Sequence, residues 1–166
     1  MDCPLLKARQ LKRSSMEENV KAAKQLSIKL LGRREHSVYE VRAYLVRRGF
    51  VDDVIEEVIQ WLLSYDYLND ARFAEELIRY RITRSGHGPR KIRWELGQKG
   101  VDSHLATRLL DELYSSEEEE RQAALAAESW SRRTTKPSDP ARLSRYLAGR
   151  GFSHETVRRI INERRD

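Results

Sequence analysis

The stretch Pro89-Arg-Lys-Ile-Arg-Trp-Glu-Leu-Gly-Gln-Lys-Gly-Val101 has one counterpart 51 residues earlier in the chain and another 51 residues later. In this period Gly100 corresponds to Gly49 and Gly151, and each glycine follows a basic residue and precedes an apolar one. Apolar residues also recur four and eight residues before each glycine, and nine and ten residues after it. So many matches without a gap indicate an internal repeat.

Each repeat is predicted to contain three helices. Apolar residues four apart, such as Ile92 and Leu96, share one helical face, and the glycine beyond them suits the left-handed residue that often ends a helix. A longer helix opens each unit, over residues 16–33, 70–84 and 117–132. The signals for helix starts are Ser37 with Glu40 as a capping box, Asp102 and Ser153 as N-caps, and Pro89 and Pro140 at first helical positions.

The predicted fold is therefore all-α, with three tandem three-helix repeats of period 51. Each unit is too small to bury its apolar faces alone, so neighbouring units stack into an elongated array, which stacking can curve. The predicted boundaries are a mobile tail over residues 1–15, then repeats over 16–67, 68–115 and 116–166. Trp61 and Trp130 are predicted to lie in the core.

Composition excludes several classes of function. The single cysteine, Cys3, cannot form an intrachain disulfide, and no apolar run is long enough to span a bilayer, so we expect a cytoplasmic protein without a membrane partner. The four histidines are dispersed, with no metal-ligand spacing and no catalytic arrangement. Residues 86–91 lack the spacing of a phosphate-binding Walker loop and predict a turn before a helix. We therefore predict no catalysis, metal, cofactor or small-molecule substrate.

One segment concentrates positive charge. The chain carries 32 Lys and Arg against 26 Asp and Glu, a net charge of +6. Between Arg79 and Lys99 there are seven bases and one acid, Glu95, which is typical of a surface that meets a polyanion or an acidic protein, although a solvated helix face has the same pattern. The predicted partner-binding residues are Arg79, Arg81, Arg84, Arg90, Lys91, Arg93 and Trp94.

Trp94 admits two interpretations. If Ile92 and Leu96 face the core, Trp94 points away from it, on the side of Arg90. An outward tryptophan among bases is typical of an interface anchor. The alternative is that Trp94 packs against an adjacent repeat and has a structural role.

At these residues the chain resembles the RecX family of bacterial regulatory proteins. The segments that carry the resemblance are Gly86-His-Gly-Pro-Arg-Lys-Ile-Arg-Trp-Glu-Leu-Gly-Gln-Lys-Gly-Val101, Tyr67-Leu-Asn-Asp-Ala-Arg-Phe-Ala74, Arg33-Arg-Glu-His-Ser-Val-Tyr-Glu-Val41 and Arg150-Gly-Phe-Ser153. Asp66 stands where the family usually has a glycine, Asn69 replaces a usual acid, and Gly149 replaces a usual base.

The resemblance implies a role in DNA repair, recombination and the SOS response. It implies binding within the helical groove of the RecA filament, with inhibition of its recombinase, ATPase and coprotease activities. The alternative from the residues alone is a helix-turn-helix-like module that contacts DNA directly, because phosphates would use the same bases. Weaker candidate contacts lie in the flanking repeats, at Arg42, Arg47, Arg145, Arg150, Arg158 and Arg159.

Overall fold

The fold is helical throughout the part of the chain that can be described. The computed structural model describes the backbone of residues 4–134 and 139–164, and the side chains from residue 15 onward within those ranges; no β-strand occurs there. The all-α prediction is confirmed. The helices are α1 (Pro4–Leu31), α2 (Val38–Arg47), α3 (Asp52–Ser64), α4 (Asp70–Tyr80), α5 (Pro89–Gln98), α6 (Ser103–Leu113), α7 (Ser116–Arg133), α8 (Pro140–Gly149) and α9 (His154–Asn162), with a π-helical segment, Arg81–Ser85, directly after α4.

The chain divides into two compact units, Met1–Phe73 and Ala74–Asp166, called here the N-terminal and C-terminal units. In the N-terminal unit, α1, α2 and α3 enclose one core. The stripe that α3 contributes has the spacing expected of one helical face. The fully buried residues of this core include Val41, Leu45, Ile55, Val58, Ile59 and Leu62.

The start of α2 is held by contacts at short and long range. Ser37 and Glu40 form the predicted capping box, in which the Ser37 hydroxyl accepts a hydrogen bond from the Glu40 backbone N–H. Asp70 Oδ1, from the start of α4, accepts a second hydrogen bond at 2.9 Å from the Val38 backbone N–H. Burial raises the pKa of Asp70, and this hydrogen bond opposes the rise. The two contacts satisfy amides that the first turn of a helix leaves unpaired.

In the C-terminal unit, α5 packs on α6, and α7, α8 and α9 pack on one another. Ile92 and Leu96 of α5 are fully buried, as the spacing predicts. The second of these helix groups has its own core, formed by Ala123, Ala126, Ala127, Leu143, Leu147, Phe152, Val157 and Ile160.

The periodic glycines end helices as predicted. Gly49, Gly100 and Gly151 have φ values of +85°, +74° and +86°, just beyond α2, α5 and α8. The caps Asp102 and Ser153 and the first-position prolines Pro89 and Pro140 are also in place. The number of repeats stays a prediction.

Two details were not expected from the sequence. Helix α1 begins at Pro4, so the predicted tail is helical from that residue onward, whereas Met1–Cys3 lies outside the described residues. Leucine, lysine, arginine and glutamine between Pro4 and residue 15 are good helix formers, and proline suits the first helical position. Trp61 and Trp130 are half-buried, packed against the edges of their cores rather than inside them.

No described helix is long and apolar enough to cross a membrane.

Candidate partner-binding surface

The predicted contact residues lie along α4, the π-helical segment and α5. Arg79, Arg84, Arg90 and Arg93 are exposed, and Lys91 is half-buried. Within the described ranges, none of the four exposed arginines forms an ion pair. Their charges are therefore available to a partner.

Trp94 is exposed on α5. Its relative exposure is 63%, whereas Ile92 and Leu96 on the same helix are at 0%. Arg90 stands four residues before Trp94 and so shares its helical face. A Cβ on Gly97, three residues after Trp94, would meet nothing within 4 Å, so the helix surface at Gly97 is open. The exposure of Trp94 favours its interpretation as an interface anchor over a structural role.

Arg81 has an internal role. Its Nε donates a hydrogen bond at 2.6 Å to Glu95 Oε2, and its guanidinium lies 5.6 Å from the centre of the Tyr80 ring. The Glu95 side chain is only 14% exposed. This ion pair joins the π-helical segment to α5. Arg81 therefore has a partner within the chain, unlike the four exposed arginines among the predicted contact residues.

The π-helical segment changes the course of the chain before α5. The sequence predicts a helix to residue 84, but the α-helix ends at Tyr80 and wider turns continue to Ser85. Gly86 then ends the segment in the left-handed conformation, with φ +55°. Such segments are uncommon and frequently lie at functional sites.

The loop before α5 is joined to the end of α8 through backbone hydrogen bonds. Gly88 N–H donates to the Arg150 carbonyl at 2.9 Å, and Arg90 N–H donates to the Gly151 carbonyl at 3.0 Å. A Cβ on Gly88 would lie 2.3 Å from the Phe152 nitrogen, so only glycine permits this approach. Because carbonyl oxygens occupy these two amides, the start of α5 does not present them to a phosphate.

Arg150 belongs to the same joint. Its Nη1 donates hydrogen bonds to the carbonyl oxygens of Ser85, at 2.6 Å, and Gly86, at 3.1 Å. Its guanidinium also lies 5.2 Å from the centre of the Tyr146 ring. The structure therefore gives this predicted contact residue an internal role.

His87 is enclosed between these elements. Its Nδ1 lies 3.3 Å from Glu95 Oε1, but the two atoms are not aligned for a hydrogen bond. Burial lowers the pKa of His87, and the charges of Lys91, Arg81 and Arg150 act in the same direction, against the effect of Glu95. The His87 backbone carbonyl accepts a hydrogen bond at 3.0 Å from the hydroxyl of Tyr114, which follows α6.

The residues of this surface lie in a known type of domain. Residues 23–62 match the sequence model described as "RecX, first three-helix domain", and residues 69–110 match "RecX, second three-helix domain". A regulatory protein RecX from Pseudomonas entomophila is 38% identical over 148 residues, which cover 86% of this chain and 92% of the relative. The chain belongs to the RecX family. A regulatory protein RecX from Prosthecochloris aestuarii is 35% identical over 147 residues, covering 89% of this chain and 96% of the relative.

Solved RecX structures have the same fold. The crystal structure of RecX from Lactobacillus salivarius covers 89% of this chain and 97% of its own, with a TM-score of 0.77 and 24% sequence identity. A second RecX crystal structure covers 93% of this chain and 77% of its own, with a TM-score of 0.82 and 18% identity. The relatives are named regulatory proteins, which supports a regulatory role. The candidate surface lies inside the second RecX domain.

The weaker candidates of this RecX-family chain fall into two groups. Arg42 pairs with Glu56, and Arg159 pairs with Glu120 and Glu163. The second group is exposed and consists of Arg47, Arg145 and Arg158. Arg150 has the internal role described above. Among the described residues, no group of three or more His, Cys, Asp or Glu is placed to hold a metal ion.

Tyr80 also lies on this RecX-family surface, although it is not among the residues predicted from the sequence. It is 54% exposed and stands between Arg79 and Arg81. The signal was present, because Ile78 and Ile82 are buried and a residue midway between them on a helix points to the opposite side.

Proposed function

We propose that this chain binds the RecA nucleoprotein filament within its helical groove and inhibits its recombinase, ATPase and coprotease activities. The observation that carries the proposal is the exposed Trp94, which shares its helical face with the unpaired Arg90 and is followed by open space at Gly97. Tryptophan and arginine are enriched among the few residues that contribute most of the binding energy in protein interfaces.

The proposed contact combines two kinds of interaction. The indole of Trp94 supplies apolar area and one N–H donor, whereas Arg90 and Arg93 can donate paired hydrogen bonds to carboxylates or phosphates. Backbone hydrogen bonds to Arg150 and Gly151 hold the start of α5 in place. The backbone that carries these side chains is therefore already ordered, and binding costs little further backbone entropy. Arg79 and Arg84 extend the positive surface. The role is regulatory, with binding rather than catalysis as its mechanism, and it is exercised in the cytoplasm.

The test removes the centre of this surface. We expect the combined substitutions Trp94→Ala, Arg90→Ala and Arg93→Ala to leave the fold intact and to weaken inhibition of RecA strongly, since truncating an interface anchor typically costs about 2 kcal/mol or more of binding. RecA-dependent ATP hydrolysis on single-stranded DNA measures the inhibition, and circular dichroism checks the fold.

A matched control lies on α7. Arg121 and Leu125 have the same spacing of four residues as Arg90 and Trp94, Leu125 is 54% exposed, and Arg132 supplies the third position. The variant with all three changed to alanine loses two arginines and one exposed apolar side chain, as the α5 variant does. Its arginines differ from those of α5 in that they pair with Glu118 and Glu128. We expect this variant to inhibit RecA normally. Full inhibition by the folded α5 variant, or equal losses in both variants, would remove the α5 surface from the mechanism.

A further inference from the structure

A groove runs along α1 in the N-terminal unit, and none of its lining residues belongs to the α5 surface. Its volume is about 830 Å³, and α3 contributes Glu57 and Trp61 to its lining. From α1 come Met16, Val20, Lys24 and Ile28, which are spaced four residues apart and therefore lie on one helical face. Twelve residues of helix span roughly 18 Å, so this groove can accept about three turns of a second helix.

The exposed area of the groove is mainly apolar, although Lys24 lies on the same helical face as Val20 and Ile28. Met16 and Ile28 are each 39% exposed, which leaves two large side chains uncovered at its ends. Between them Val20 reaches down into the core, and Trp61 forms a side wall.

The Trp61 wall is held in place by its neighbours. The rings of Tyr65 and Tyr67 lie 5.5 Å and 5.6 Å from the ring of Trp61, centre to centre. The Lys24 ammonium lies 4.8 Å from the centre of the same ring. These contacts restrict the orientation of the indole, so the side wall of the groove is preformed.

Positive charge increases towards the end of α1. Lys29 lines both the groove and a smaller depression of about 220 Å³, in which Arg33 and Arg48 surround Tyr44. The Arg48 guanidinium lies 5.0 Å from the centre of the Tyr44 ring, an arrangement that orients it. Within the described ranges, Lys29, Arg33 and Arg48 form no ion pair, and no acid lines the smaller depression.

We propose that this groove binds an amphipathic helix of a partner protein, with apolar side chains on the floor and acidic side chains at Lys29, Arg33 and Arg48. The groove supplies the apolar track that helix-in-groove recognition requires. The groove is lined by two acids, Glu17 and Glu57, whereas the smaller depression is lined by bases and by no acid. The bound helix therefore carries its negative charge at the end nearer Arg33. The proposal adds a second contact of different chemistry to the chain and does not depend on the α5 surface.

The first experiment uses designed peptides in place of the unknown partner. One fluorescein-labelled helix of about 14 residues carries leucine at positions i, i+4, i+7 and i+11 and glutamate on the flanks of that stripe. Two control peptides have the same composition in scrambled order, or lysine in place of glutamate. Fluorescence anisotropy with the full chain should give saturable binding of the first peptide, with both controls at least about tenfold weaker.

Point variants then locate the contact. We expect Ile28→Asp, and separately Arg33→Glu with Arg48→Glu, to weaken peptide binding at least about tenfold. Val46→Asp and Arg47→Glu are matched controls, because both residues are exposed on α2 and neither lines the groove or the depression. Circular dichroism checks that each variant is folded.

Several outcomes overturn the proposal. These are no saturable binding of the acidic amphipathic peptide, equal binding of the scrambled or lysine peptide, and equal losses in the control variants. Displacement of the peptide by a short oligothymidylate would also overturn it, because the groove would then belong to nucleic acid. No RecA is present in these measurements, so their outcome is independent of the proposed function.

Discussion

At Gly151 two constraints act on the same residue. Its φ of +86° is a conformation that other L-residues rarely adopt. A Cβ at this position would also lie 2.4 Å from the backbone nitrogen of Lys91. Gly49 has nearly the same φ, +85°, but a Cβ there would meet nothing within 4 Å. The two glycines therefore separate the cost of the backbone conformation from the cost of close packing.

We expect Gly49→Ala to lower the free energy of unfolding by about 1 to 2 kcal/mol, the cost of a left-handed residue. Gly151→Ala should lower it by more, because the start of α5 must also move away from the new methyl group. Urea denaturation followed by circular dichroism measures both, and hydrogen exchange should place the loss of protection for Gly151→Ala around α5 and α8. Equal losses in the two variants would mean that the end of α8 does not press on Lys91.

On the scale of the helix, α5 is positioned by contacts around its first turns. Backbone bonds join it to the end of α8, Arg81 pairs with Glu95, and the Tyr114 hydroxyl donates to the carbonyl of His87. The ring of His87 lies among these contacts without a hydrogen bond to its Nδ1. The position of Trp94 depends on this arrangement, since Trp94 itself is mostly exposed.

We expect this arrangement to lose stability in mild acid. Lys91 and Glu95 on α5, Arg81 on the π-helical segment and Arg150 at the end of α8 face His87, and the net effect with burial is a lowered pKa. The unfolded chain, with an ordinary histidine pKa of about 6.5, then binds a proton more readily than the folded chain. The free energy of unfolding therefore falls as the pH decreases from about 6.5 through the lower folded pKa, and it is unaffected above that range.

The measurement is urea denaturation of the unchanged protein and of His87→Gln at a series of pH values. Both proteins share the other titrating groups, so the difference between their free energies of unfolding reports His87. We expect the unchanged protein to lose stability relative to the variant as the pH falls below about 6.5. Parallel curves from pH 8 down to about pH 5 would mean that the protonated ring is tolerated in the folded chain.

For the whole molecule, charge gives a test of the proposed partner. The net charge of +6 and the unpaired arginines would also attract bare DNA. Binding that rests on phosphate contacts falls by about a thousandfold or more between roughly 50 mM and 200 mM salt. Contacts of the Trp94 kind bury apolar area and are little affected by salt.

We therefore expect inhibition of RecA to persist at a salt concentration that abolishes binding of the chain to free DNA. ATP hydrolysis by RecA alone at each concentration is the control, and fluorescence anisotropy with labelled single-stranded DNA measures the direct binding. If inhibition and DNA binding were lost together, the DNA-binding module would be the better account of this protein.

The features that the sequence determined are local. Helix caps at Ser37, Asp102 and Ser153 and glycines at the ends of α2, α5 and α8 depend on contacts a few residues apart, so residue type and spacing predict them. The exposure of Trp94 also follows from local geometry, because the burial of Ile92 and Leu96 sets the orientation of α5.

Tertiary structure decided which bases are available. In the sequence, nothing distinguishes Arg81 and Arg150 from the exposed arginines. Arg81 nevertheless binds Glu95, 14 residues away. Arg150 binds the carbonyls of Ser85 and Gly86, which are 65 and 64 residues away. The same holds for the groove along α1, which exists only because α3 packs beside it. Such pairings depend on the path of the chain between the partners, whereas caps and helical faces depend on neighbours within one or two turns.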